Sequence, residues 1–155
     1  MNRYYLVRHA KAGDRDRWAG DDRSRPLTTK GRAQAEMLAA TLAPLATSGT
    51  LVSSPYLRCL QTLEPLATAL GRDVVADDRL AEDRGYDGAL ALLAELPGGS
   101  VLCSHGDVIP ATIAALERRG CRIDGAADWR KASVWVVDLT PDAPVAATAW
   151  PPPNV

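Results

Sequence analysis

Phenylalanine is absent from all 155 residues, and histidine, lysine and cysteine number only two, three and three. Without phenylalanine the core must be built from Ala, Leu and Val, with four Trp and four Tyr as its large rings. Two histidines, three scattered cysteines and no H-E-x-x-H leave a dedicated transition-metal site little to ligate with, so neither a metal nor a cofactor is expected. No stretch approaches the roughly 18 uncharged apolar residues of a membrane span. The start of the chain, Met1 to His9, has no apolar leader core, so secretion is not expected. Charge of one sign is also lacking: 18 basic against 19 acidic side chains give a net −1, which argues against a nucleic-acid surface. Cys59, Cys103 and Cys121 are odd in number and form no C-x-x-C pair, so they read as reduced core thiols in a cytoplasmic protein. Arginine outnumbers lysine fifteen to three, which by itself carries no functional reading.

What is present is ordinary globular composition, 46% hydrophobic and 24% charged, in a length that suits one domain over residues 1–155. Tyr4–Val7 reads as a first, central strand ending at Arg8-His9. Gly31–Leu45 carries apolar residues at spacings of three and four behind Thr28 or Thr29 as cap, which predicts an amphipathic helix. Thr50–Ser53 predicts a second strand, and a helix opened by Ser54-Pro55 runs to Gly71 with a bend at Pro65. Asp73–Ala76, Ser100–Cys103 and Ser133–Leu139 read as further strands, and Asp87–Leu96 and Val108–Arg119 as further helices. Val145–Trp150 is expected to return as an antiparallel edge hairpin, with a frayed tail past Pro151. Alternating strands and helices predict an α/β fold, a three-layer α/β/α sandwich around a largely parallel sheet, because each parallel pair needs a helical crossover. Ligands bind such sheets at the carboxyl ends of the strands, where both His9 and His105 fall. The connection from Lys11 to Pro26 exceeds the roughly 12–15 residues usual for structureless loops. It reads either as a solvated charged loop or as a lid whose Arg15, Arg17 and Trp18 help hold an anion.

Several phosphate chemistries fail on spacing. A cysteine phosphatase needs Arg six positions after its Cys, and those positions hold Pro65, Ile109 and Ala127. Asp14-Arg15-Asp16 follows no apolar run and lacks the D-x-D-x-[TV] continuation, and neither Walker A nor G-x-G-x-x-G occurs. Leu102-Cys103-Ser104-His105-Gly106 approaches G-x-S-x-G, but no histidine follows to complete a triad on Ser104, which leaves a serine hydrolase a weak alternative. The remaining constellation is Arg8-His9, Arg58 and His105. Two guanidiniums offer forked donors to phosphate oxygens, and a neutral imidazole is a competent nucleophile towards phosphorus. Its second nitrogen should donate to a backbone carbonyl or similar group that fixes the tautomer, and nearby arginines would help keep it neutral.

Leu6-Val7-Arg8-His9-Ala10-Lys11, Arg25-Pro26-Leu27-Thr28-Thr29-Lys30-Gly31, Ser53-Ser54-Pro55-Tyr56-Leu57-Arg58 with Gln61-Thr62, and Ser104-His105-Gly106 together resemble the histidine phosphatase superfamily, related to phosphoglycerate mutase. The resemblance spans residues 4 to about 139 and is nearest to the SixA-type phosphohistidine phosphatase branch. Gly13–Asp22 and Trp129–Ser133 look like the domain that follows a Nudix domain in certain actinobacterial nucleotide hydrolases. The resemblance implies His9 as a nucleophile that becomes phosphohistidine, with Arg8, Arg58 and His105 binding the transferred phosphoryl group; Lys11 and Arg15, on the loop that leaves this edge, are expected as further substrate contacts. It implies an acid for the leaving group, with Glu82 first, Asp83 second and Asp107 third. Ala10 stands where the mutases usually carry Gly followed by Glu, and the chain is short for their cap, so a small open site without mutase activity is expected. The implied function is metal-independent hydrolysis of a phosphomonoester or phosphoramidate on a small molecule or a phosphohistidine protein. The alternatives are a nucleotide or phosphosugar phosphatase, and a non-catalytic phosphate-binding or partner-regulating domain.

Overall fold

Adjacent residues of the first strand face opposite ways, and this alternation divides the core in two. The computed structural model describes residues 1–155, with strand β1 at Asn2–Arg8. Tyr5 and Val7 pack on one side with the helices α1 (Thr29–Leu42) and α2 (Leu57–Leu70). Tyr4 and Leu6 pack on the other with α3 (Asp87–Glu95) and α4 (Val108–Arg118). This is the expected three-layer α/β/α arrangement. The other strands are β2 (Leu51–Ser53), β3 (Val74–Ala76), β4 (Val101–Ser104), β5 (Arg122–Asp124), β6 (Val134–Leu139) and β7 (Pro144–Trp150). Their order is β3-β2-β4-β1-β6-β7-β5.

β3, β2, β4 and β1 are parallel neighbours, and β7 pairs parallel with β5. Every antiparallel pairing within the sheet is made by β6, which lies between β1 and β7 in the half of the sheet that ends at β5. The hairpin of β6 and β7 forms as expected, but β5 covers its outer side. That three-residue strand, Arg-Ile-Asp, is too short and too charged to stand out in the sequence. Past Trp150 there is no regular secondary structure.

Local chemistry sets the helix limits. Thr28 caps α1 by accepting from the Gly31 amide at 3.0 Å, and Gly71 ends α2 in the left-handed conformation at φ 64°. Helix α1 stops at Leu42, three residues before the expected Leu45, and α2 starts at Leu57 rather than at Ser54-Pro55. It continues through Pro65, where a bend was expected, to Leu70. Gly31 packs against the Lys11 backbone so closely that a Cβ there has no room, which ties the start of α1 to the loop leaving β1. The three cysteines are free and buried. No helix is long and apolar enough to cross a membrane.

Candidate active site

Register brings the two histidines together. Arg8 on β1 is paired with Ser104 on β4, so the residues that follow, His9 and His105, leave the sheet side by side. Their ring centroids are 5.6 Å apart, and both rings are buried. The His9 amide donates to the Ser104 carbonyl at 3.1 Å, so this pairing continues one residue past the strand. On the other side of β4, Ser53 is registered with Cys103, which delivers Ser54 to the same edge.

His9 Nδ1 lies 2.8 Å from the Ala10 carbonyl oxygen. A carbonyl only accepts, so Nδ1 carries the proton and Nε2 keeps its lone pair. The His9 pKa is lowered to about 3, by burial above all and then by the charges of Arg58 and Arg8, against the Ala10 hydrogen bond that opposes them. The ring is therefore an unprotonated nucleophile at neutral pH. Desolvation carries more of this than the neighbouring arginines to which the sequence argument gave the part.

His105 is held the other way round. Its Nε2 lies 2.8 Å from the Ser54 hydroxyl, whose oxygen also accepts from the Tyr56 amide at 3.2 Å. The arrangement that uses the Ser54 proton has the hydroxyl donating to Nε2, which leaves a neutral ring with its proton on Nδ1. Cys59 Sγ stands 3.6 Å from the same Nε2, and the Tyr56 ring meets the imidazole edge-on at 4.7 Å.

Arg58, at the first turn of α2, is fully buried; it donates to the Asp22 carbonyl at 2.8 Å and to the carboxylates of Asp22 and Glu82 at 3.1 and 3.2 Å. Arg8 donates to the Trp129 carbonyl at 2.6 Å and lies under Gly106, where a Cβ would come within 2.6 Å of the guanidinium carbon. Only glycine leaves that guanidinium its place. Four buried side-chain nitrogens or oxygens in the whole chain lack a partner, and three of them are Arg8 Nε, Arg58 Nε and His105 Nδ1. The fourth, Trp135 Nε1, is on β6, where its ring stacks on Trp129 at 4.9 Å. Buried donors are normally satisfied, so three unsatisfied ones on the side chains ringing His9 mark an anion cradle.

A cleft of roughly 610 Å³ opens over Arg8 and the two histidines, lined also by Lys11, Arg15 and Lys131, with Arg58 buried behind its wall rather than lining it. Of the acid candidates, Glu82 and Asp107 line it and Asp83 does not. Glu82 accepts from Arg15 at 2.7 Å as well as from Arg58, and Asp107 accepts from the Asp83 amide at 2.8 Å. The Glu82 bond is the main reason the Arg15 pKa is raised. A more apolar cleft of about 430 Å³ lies between α3, α4 and the β6–β7 turn, lined by Tyr4, Leu93, Leu116 and Pro141, and includes neither histidine.

The loop from Lys11 to Pro26 is tied down along its length. Ala12 bridges to Leu27, two short 3-10 turns form at Arg15–Arg17 and Asp22–Ser24, and Asp22 is bonded to Arg25 and Arg58. Burial would raise the Asp22 pKa, but the Arg25 bond and the charges of Arg58, Arg25 and Arg15 outweigh it and hold it low. Arg17 reaches only Asp14, at 3.8 Å, and Trp18 donates its indole proton to the Asp21 carbonyl; neither lines the cleft, which is the arrangement of the solvated-loop reading. Asp22, Arg25, Ser54 and Lys131 are site residues that the sequence reading did not assign. Lys131 had one visible signal, as one of three lysines next to a late Trp-Arg pair.

The profile of the histidine phosphatase superfamily, branch 1, matches residues 4–87. The chain belongs to that superfamily. Histidine phosphatases of the SixA type are among its solved neighbours: a SixA from Agrobacterium tumefaciens is 27% identical, with 88% of this chain and 91% of that one covered and a TM-score of 0.70. The protein histidine phosphatase SixA in complex with tungstate shares the fold at a TM-score of 0.75 and 22% identity, covering 96% and 94% of the two chains. An 8-oxo-(d)GTP phosphatase of Mycolicibacterium smegmatis is 39% identical over 96% of this chain, which spans 48% of that longer protein.

Proposed function

We propose that this chain is a cytoplasmic phosphatase that works through a phosphohistidine on His9. Nε2 of His9 attacks phosphorus, the Nε2–P bond forms, and the bond to the leaving group breaks in line; water then attacks the phosphoenzyme and releases inorganic phosphate. Arg8, Arg58 and His105 donate to the three non-bridging oxygens, where charge accumulates in the transition state. The observation that carries the reading is the set of three buried, unpartnered donors, Arg8 Nε, Arg58 Nε and His105 Nδ1, around a histidine whose tautomer leaves Nε2 free. The substrate is a phosphoryl group on a small molecule or a phosphohistidine protein. Incubation with radiolabelled aryl phosphate should leave acid-labile label on the wild-type chain and none on His9→Ala; label and turnover retained by that variant would overturn the reading. Tight phosphate binding with no turnover in the wild type would favour a non-catalytic phosphate-binding domain instead.

A further inference from the structure

Resting on the covalent reading of His9, we infer that Lys11 and Lys131 form a second anion subsite and that the substrate is a phosphoanhydride. The terminal phosphoryl group of a di- or triphosphate meets His9, and the next phosphate meets the two ammonium groups.

Two independent observations converge on this. The first is a charge count. The twelve ion pairs of the chain are all made by arginines, and no lysine takes part in one. Of three lysines, two line the cleft that holds His9 and His105. The acids of that cleft are already engaged: Glu82 by Arg15 and Arg58, Asp107 by the Asp83 amide, Asp14 by the Asp16 amide. Around Lys131 the neighbours are cations. Its pKa is lowered by burial first and then by the charges of Arg8, Arg25, Lys11 and Arg58. A single phosphoryl group accounts for Arg8, Arg58 and His105 and leaves both lysines facing one another's charge. A second phosphate one bridging oxygen away offsets that repulsion.

The second observation is the engagement of the proton donors. Both Glu82 oxygens accept from guanidiniums and one Asp107 oxygen accepts from an amide, so the carboxylates of the cleft are held as acceptors, a poor arrangement for protonating a leaving alkoxide. A phosphoanhydride needs no such proton. When Nε2 of His9 bonds to the terminal phosphorus, the P–O bond to the bridging oxygen breaks and its electron pair stays with the departing phosphate, an anion stable near neutral pH. That anion is released beside the two lysines. Water then attacks the phosphohistidine, one of its protons passes to solvent or product, and His9 returns with its lone pair on Nε2.

The test compares inorganic pyrophosphate, a nucleoside diphosphate, p-nitrophenyl phosphate and a phosphohistidine peptide on the wild type, Lys131→Met and Lys11→Met. The ratio of kcat/KM for pyrophosphate and the diphosphate over that for the aryl ester should fall roughly tenfold in each variant, and more in Lys131→Glu. Equal losses on all substrates, or an unchanged ratio, would overturn the subsite. So would a phosphohistidine peptide that is preferred in the wild type and indifferent to both lysines. Calorimetry separates this from the covalent reading: pyrophosphate should bind the wild type more tightly than phosphate, a preference lost in Lys131→Met. Absent turnover with that preference intact overturns the phosphatase and keeps the anion subsite; turnover without the preference does the reverse.

Discussion

His9 and His105 start from the same side chain, comparable burial and adjacent rungs of one sheet, and finish with opposite nitrogens free. His9 gives its Nδ1 proton to a carbonyl and keeps a lone pair on Nε2. His105 takes a hydroxyl proton on Nε2 and keeps N–H on Nδ1. A backbone acceptor makes one ring a nucleophile, and a serine donor makes the other an electrophilic contact. Neither outcome belongs to the imidazole itself. The neighbour that holds one nitrogen decides what the other can do.

The largest effect should come from removing the lone pair. His9→Ala should lose turnover by at least about 10⁴-fold, measured with an aryl phosphate, because the covalent step has no other nucleophile. His105→Ala should cost roughly 10²–10³ in kcat, the usual worth of one preorganised donor, while still trapping label on His9. If the two variants were equally dead and equally unlabelled, the division of roles would fail. Next comes pH. His9 is held at about 3 when folded against about 6.5 unfolded, so as pH falls below 6.5 the unfolded chain takes the proton first. Stability should therefore be full above that pH and fall towards pH 3 by about 1.4 kcal/mol per unit from this group. Urea titrations of wild type and His9→Gln should diverge in that window, with the variant the flatter of the two. The smallest effect is at Ser54. Ser54→Ala should lower kcat roughly fivefold, for one neutral hydrogen bond of about 1 kcal/mol, and Ser54→Thr should restore it. Nitrogen NMR of the two histidines should then show His105 leaving the Nδ1–H form while His9 keeps its own.

The layered fold was legible because β1, α1, α2 and α4 carry periodic apolar residues with chemical stops such as Thr28 and Gly71. Arg8, His9, Arg58 and His105 were legible because each sits at the end or start of such an element, where topology sends it to one edge. Less was readable where geometry depends on hydrogen bonds between distant residues. Nothing in Asp21-Asp22-Arg23 says that Asp22 reaches Arg58, 36 residues on, by both carbonyl and carboxylate. Trp18 suggested a lid because a tryptophan in a charged loop invites a contact, yet its indole is spent on a turn three residues away. The place of β6 inside the sheet was also hidden, since hydrophobic alternation fixes a strand's faces and leaves its neighbours undetermined.

That place has a consequence for how the chain is made. Of the seven strands β1 leaves the ribosome first, but its partners begin at Val101 and Val134. At roughly 5–20 residues per second, Tyr4-Tyr5-Leu6-Val7 waits about 5–20 s for its first partner and longer for its second. The strand that presents the nucleophile is thus an unpaired apolar edge through most of synthesis. Nascent chains stalled before Val101 should be the ones that aggregate or recruit chaperones, and the site is complete only once Trp129 and Lys131, just ahead of β6, have been made.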